Sequence, residues 1–176
     1  LLLGLNTFAS GPSIRFDHLS VEEGLSQSTV RSILQDSQGF MWFGTAGGGL
    51  NRYDPTRDTF THYRHNPQDP QSLSHDHVMS LYEDSKGYIW VGTWNGGLNR
   101  FSPKTGHFKH YKHNPDDANS LSNNTIMTIA EDHSGQLWFA TLSNGLNQFD
   151  RQSESFKSYQ QEPNNPHSLS HNTTSS

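Results

Sequence analysis

Residues 36–54 read DSQGFMWFGTAGGGLNRYD, and the same text returns as DSKGYIWVGTWNGGLNRFS at 84–102 and as DHSGQLWFATLSNGLNQFD at 132–150. Trp42, Trp90 and Trp138 therefore stand at one constant interval, and Asp36, Asp84 and Asp132, Asn51, Asn99 and Asn147, and Tyr63, Tyr111 and Tyr159 keep it too. Further out, Leu25, Leu73, Leu121 and Leu169 share the same interval, each followed by serine. Residues 25–168 are three copies of 48 with no insertion, and a fixed period of this length marks a repeat architecture.

Each copy carries the signals of four short strands. Val30–Gln35, Val78–Glu83 and Ile126–Glu131 place apolar or β-branched residues at alternate positions, and an Asp-x-x-Gly turn follows, where the glycine can take positive φ. A second strand is predicted over 40–45, 88–93 and 136–141, apolar on both faces around the Trp, as a strand covered on each side by a neighbouring sheet must be. After a Gly/Asn-rich turn come a third strand (50–53, 98–101, 146–149) and a fourth (60–64 and equivalents), whose Phe-x-x-Tyr spacing breaks strict alternation and implies either a bulge or burial of both faces. No 3.6-residue periodicity is present, which excludes helical solenoids; the fold class is all-β, a β-propeller fragment of about three four-stranded antiparallel blades. A blade cannot bury both faces alone, so Trp42, Trp90 and Trp138 are the expected packing residues between blades.

Propellers use roughly four to eight blades, so three copies are expected to be part of a larger ring. The expected organisation is a signal-peptide remnant at 1–10, an N-terminal segment at 11–24, repeats at 25–72, 73–120 and 121–168, and the start of a fourth repeat at 169–176. The leader reading rests on the apolar Leu1, Leu2, Leu3 and Leu5 and on Thr7 and Ala9, small residues spaced as at a signal-peptidase site. The strand-like run from Ile14 to Leu19 would complete the last blade of a full ring.

Composition narrows the function classes. The 176 residues hold 30% hydrophobic and 16% charged residues, but 11% are aromatic, so large rings do the burying and a disordered chain is excluded. Twelve basic against seventeen acidic side chains give a net charge of −5 without a cationic stripe, which argues against nucleic acid as a partner. Cysteine is absent, removing disulfides and thiolate sites together. No run of 18 apolar residues exists.

The copies resemble the two-component regulator propeller repeat: Asp-x-x-Gly, an apolar pair with Trp, then Gly-Thr and Gly-Leu-Asn, present three times with Ala140 and Gln148 as departures in the third. The resemblance covers about residues 14–172. It implies paired propeller rings in the periplasm, ahead of a β-sandwich, a membrane helix and a cytoplasmic transmitter, most often a histidine kinase and sometimes a diguanylate cyclase. The chain is then part of a sensing head, not itself an enzyme. The partners implied are the remainder of the propeller and the transmitter of the parent chain, an oligosaccharide or other small extracellular ligand, and a second receptor in a dimer. The rival readings are an extracytoplasmic lyase or glycosidase and a protein-interaction scaffold.

Catalytic and metal chemistry find little support in the residues. Among eleven histidines, His75-x-His77 and the spacing of His107, His110 and His113 invite a metal site, yet His62 matches His110 and His65 matches His113 in register, so they are equivalent positions on separate blades. Asp36, Asp84 and Asp132 supply one carboxylate per turn, too few oxygens for calcium, and are read as turn-formers. No Gly-x-Ser-x-Gly or HExxH pattern occurs, and no metal or cofactor is expected. Recognition remains. Packing residues must repeat, whereas ligand-reading residues need not, so the candidates are copy-specific positions on the rim shared by the turn between strands two and three and the connection into strand one: Trp94, Asn95, Asn144, His75, His77, Asn123 and Asn124. An exposed Trp94 offers a flat face to a sugar ring; the alternative is that it packs against an adjacent loop.

Overall fold

The computed structural model describes residues 18–173. Twelve strands run in order: β1 Val30–Gln35, β2 Met41–Thr45, β3 Leu50–Asp54, β4 Thr59–Tyr63, β5 Val78–Glu83, β6 Ile89–Thr93, β7 Leu98–Ser102, β8 His107–Tyr111, β9 Ile126–Glu131, β10 Leu137–Thr141, β11 Leu146–Asp150 and β12 Ser155–Tyr159. They form three four-stranded antiparallel sheets, each in sequence order, β1 to β4, β5 to β8 and β9 to β12. The first strand of every copy has the bounds expected from sequence; the second begins one residue later and the third runs one residue longer. Among the described residues there is no helix, and so none long and apolar enough to cross a membrane. The leader at 1–10 and most of the strand expected over Ile14 to Leu19 lie outside the described residues, and His18 and Leu19 are not in a strand.

The sheets pack face to face through two apolar clusters. Trp42, Leu50, Leu73, Val78, Ile89, Val91, Phe101 and Phe108 fill the space between the first and second sheets. Trp90, Leu98, Leu121, Ile126, Leu137, Phe139, Phe149 and Phe156, each one period further along the chain, fill the space between the second and third. One interface is thus built twice from the same kinds of residue. Alternation along β6 explains its all-apolar text: Ile89 and Val91 serve the first cluster and Trp90 the second. The Phe-x-x-Tyr spacing resolves the same way. The β3 to β4 register runs without a bulge, while Phe108 faces the first cluster and Tyr111 the second, so the outer strand is buried on both faces.

Each indole is held at both ends. Trp90 is stacked on Tyr111 at 5.8 Å and meets Phe149 of the next sheet edge-on at 5.2 Å, and its Nε1 donates to Asp84 Oδ2 at 2.7 Å. Trp42 repeats this with Tyr63, Phe101 and Asp36 Oδ2 at 2.7 Å. The other carboxylate oxygen of Asp36 closes the turn, accepting from the amides of Gln38 and Phe40, and Gly39 completes it at φ 90°. The turn aspartate therefore fixes the hairpin and orients the indole that packs on the next sheet. Trp138 keeps its bond to Asp132 Oδ2 at 3.0 Å and is tilted against Tyr159, but it is only half-buried, on the face of the third sheet away from the second.

Two further links cross each interface. Ser37 donates its amide and hydroxyl to the two carboxylate oxygens of Glu83, both at 2.7 Å, and Ser85 does the same to Glu131. Gly44 and Gly92 let the next inner strand approach: a Cβ on Gly92 would lie 2.9 Å from the Cβ of Ile126.

Replacing Trp90 by Ala removes a fully buried indole and is expected to cost about 3–5 kcal/mol in urea unfolding; Trp138→Ala is expected to cost clearly less, and equal losses would contradict the interface described. Acid titration tests the turn aspartate. Burial raises the Asp84 pKa, but hydrogen bonds from Trp90, from Arg151 and from the amides of Tyr88 and Lys86 outweigh it, and the net direction is down. A folded-state pKa below the unfolded value of about 3.9 adds stability above that pH and loses it as pH falls towards the folded value. Unfolding free energy should therefore drop on acidification below about pH 4, and less steeply in Asp84→Asn.

Candidate functional site

One edge of the three sheets carries the turns 46–49, 94–97 and 142–145 together with the chain entering each inner strand. Backbone bonds fix this rim. Thr45, Thr93 and Thr141, all fully buried, donate their hydroxyls to the carbonyls of Gly49, Gly97 and Gly145 at 2.8, 2.8 and 2.9 Å. Gly49, Gly97 and Gly145 donate in turn to the carbonyls of Asp76, Asn124 and Asn172, each at 2.8 Å. Each turn is thus pinned by the segment that leads onward from its own sheet. The asparagines present in every copy hold the other end: Asn51, Asn99 and Asn147 accept from the amides of Ser26, Ser74 and Ser122, in the Leu-Ser pair that opens every copy, each at 2.9 Å.

On this rigid frame the copies differ. At the cross-strand pair where the first copy has Thr29 and Ala46 and the third has Thr125 and Leu142, the second has His77 and Trp94, joined by the Trp94 amide to the His77 carbonyl at 2.9 Å. Their rings stack at 6.0 Å and 28°, with Trp94 38% exposed, a large apolar surface left open to solvent. His77 Nε2 is covered and has no partner among the described residues. Its pKa is lowered, first by burial and then by the charges of Arg31 and His75, so the ring is neutral at pH 7. His75 lies beside it, its Nδ1 accepting from the His77 amide at 3.0 Å. Asn95, next to Trp94, adopts φ 61° and is tied to the third sheet, its amide and Oδ1 both bonded to Thr125 Oγ1 at 3.1 Å.

The remaining candidates fall elsewhere on the rim. Asn123 and Asn144 form their own pair, Nδ2 to Oδ1 at 3.0 Å, with Ser143 alongside. Asn124 accepts from the His113 amide at 2.7 Å, as Asp76 does from His65 and Asn172 from Gln161, so it ties down the connection in every copy. The histidines of the outer strands and connections bond carbonyls: His62 to Gly24, His110 to Ser72, His65 to Leu73 and His113 to Leu121. Among the described residues no three His, Asp or Glu side chains are grouped as a metal site.

Arg31 joins this rim although neither turn nor connection carries it. It occupies a β-bulge where the β1 to β2 register shifts, and the same bulge in the other copies carries Met79 and Met127. A bulge re-aims one side chain at the end of a strand. The signal in the sequence is one cation against two thioethers at equivalent positions, but it sits inside a strand, where side chains are expected to serve packing.

The fold and its rim define a stack of propeller blades with a copy-specific aromatic pair, His77 and Trp94, on the rim of the second. Three segments of the chain, residues 24–47, 72–95 and 120–143, each match the family described as two component regulator propeller. Over 71 residues the chain is 39% identical to a histidine kinase of Formosa agariphila, a stretch that is 40% of this chain and 5% of the kinase. Its structure is similar to the extracellular domain of a putative hybrid two-component system from Bacteroides thetaiotaomicron, with a TM-score of 0.74, 33% identity, and coverage of 81% of this chain and 20% of that one. Virginiamycin B lyase of Staphylococcus aureus shares the fold alone, at 22% identity and a TM-score of 0.57 over 77% of this chain and 42% of the lyase. The chain thus spans a small part of the length of the sensor proteins it resembles.

Proposed function

We propose that this chain is a ligand-binding section of the periplasmic head of a two-component receptor, and that occupancy of its rim biases a membrane-bound histidine kinase in the parent protein. The observation that carries this reading is the contrast between repeated frame and variable rim: the interface residues recur once per period, while Trp94 and His77 occur in one copy and leave an indole face open. An exposed ring stacked on an imidazole is a platform for the C–H face of a sugar, with Asn and His side chains near its edge for hydroxyl groups. The repeat family and the likeness to an extracellular sensor domain support the placement outside the cytoplasm and the link to a kinase.

Signalling then follows from linkage. A ligand that binds one arrangement of rings or of a receptor dimer more tightly than another shifts the population by its differential affinity, and the transmitter reads that shift. Nothing in the rim needs to perform chemistry.

A panel of oligosaccharides screened by thermal unfolding tests the reading. A ligand at about a hundredfold excess over its Kd adds about 2.7 kcal/mol, which for a chain of this size raises Tm by roughly 5–10 °C. Trp94→Ala introduces the residue that the first copy carries as Ala46, so it is expected to shift the unligated Tm little and to abolish the rise. In the parent receptor the same substitution is expected to reduce ligand-dependent kinase autophosphorylation. Full retention of the rise in Trp94→Ala removes the rim as the binding site.

A further inference from the structure

The first copy shows how little the rim turns need. Between strands two and three it carries Ala46, Gly47 and Gly48, a single methyl in all. The Thr45 hydroxyl still meets the Gly49 carbonyl, and the Gly49 amide still meets the Asp76 carbonyl, as their equivalents do in the other copies. The second copy has Trp94, Asn95 and Gly96 at those positions and the third has Leu142, Ser143 and Asn144, so the side chains added there are not what closes the turn.

The polar ones are joined across the second interface into one strip. Asn95, directly after the open indole, has its amide and its Oδ1 both at 3.1 Å from Thr125 Oγ1. The Thr125 amide donates to Asn123 Oδ1 at 2.8 Å, and Asn123 Nδ2 donates to Asn144 Oδ1 at 3.0 Å and to Ser143 Oγ at 3.3 Å. Ser143 Oγ donates to the same Asn144 oxygen at 3.0 Å. The carboxamide oxygens are thereby consumed inside the strip. What remains is the Nδ2 group of exposed Asn95 and that of half-buried Asn144, donors without a partner among the described residues. No member of the strip ionises at neutral pH, and on the side of the first sheet the turn of Ala46, Gly47 and Gly48 offers no polar side chain to continue it.

Resting on the reading of the rim as a sugar platform, we infer that the site takes a chain of at least two neutral sugar units: one lies on Trp94, and the next lies along the strip from Asn95 to Asn144, over the junction of the second and third blades. The indole takes the C–H face of the first ring, and the two free carboxamide donors take hydroxyl or ring oxygens of the next. Bonds within the strip hold these donors in place before the ligand arrives, so little ordering is left to oppose binding. An anionic unit finds no cation in the strip. An apolar ligand would cover the donors without satisfying them.

The copies supply their own controls. Asn144→Gly installs the residue of Gly48 and Gly96, and Asn95→Gly installs that of Gly47, which also suits the φ of 61° at Asn95. Isothermal titration of the full chain with galactose, glucose, mannose and xylose, each beside its β-1,4-linked trimer, and with trigalacturonate separates the outcomes. At least one neutral trimer is expected to bind about tenfold or more tightly than its own monosaccharide, two hydrogen bonds contributing a few-fold each. Asn144→Gly and Asn95→Gly should each weaken that trimer about threefold to tenfold and leave the monosaccharide unchanged, which also shows that the indole platform has survived the substitution. Trp94→Ala should weaken both. A trimer that binds no better than its monosaccharide, a preference that survives both glycine variants, or tighter binding of trigalacturonate than of neutral galactotriose overturns the inference while leaving the sugar platform in place. Failure of every sugar to bind overturns the platform and the inference together.

Discussion

The rest of the structure depends on the indole of strand two, bonded through its nitrogen to the aspartate of its own turn and packed by its ring on the aromatic residues of the next sheet. The two contacts act in different directions. The Asp84 to Trp90 bond is local and fixes the ring against its own hairpin. The contact with Phe149 is long-range and joins one blade to the next. A single side chain therefore converts hairpin geometry into ring geometry, and the fixed period reproduces that conversion from copy to copy.

Around that element the blades carry links that are not repeated. Between the second and third sheets Arg151 reaches Asp84 Oδ2 at 2.8 Å and Glu131 Oε1 at 2.9 Å, and Glu154 pairs with Arg100 at 3.0 Å and with Lys109. The first interface has Pro103 and Gly106 at the corresponding positions of its second sheet, residues that cannot form either link. Arg52 and Arg100 lie over the rings of Phe40 and Tyr88 at 4.5 and 4.8 Å, while the third copy has Gln148 there, bonded to the hydroxyl of Tyr159. The Glu154 pairs, partly exposed, contribute modestly to stability, whereas Arg151 meets the buried carboxylate of Asp84; all of these links make otherwise equivalent interfaces distinct.

The rim follows a division of labour. Threonine and glycine hold the turns through backbone carbonyls that any sequence would offer, and the repeated asparagines tie down the incoming chain. Side chains at positions 46, 94 and 142 are thereby freed from structural duty. Alanine, tryptophan and leucine stand there on the same frame, and the proposal that Trp94 meets a ligand rests on that difference.

What the sequence determined by itself was everything carried by the period: the number of strands, their order, the turn glycines, and the residues that face a neighbour, because a repeat prints its packing constraints once per copy. The first strands were legible to the residue, since alternation and the Asp-x-x-Gly turn bracket them. Tertiary structure decided what no single copy could show. Only the folded chain revealed that Asp84 holds the indole as well as the turn, that the Phe108 and Tyr111 spacing serves two interfaces without a bulge, and that Asn124 secures the connection while Asn123 pairs with Asn144. Asn95, in a turn of the second sheet, is bonded to Thr125 at the entry to the third, so this rim contact joins residues far apart in the chain. That contact is set by how two blades pack, an arrangement that periodicity implies must exist but does not specify.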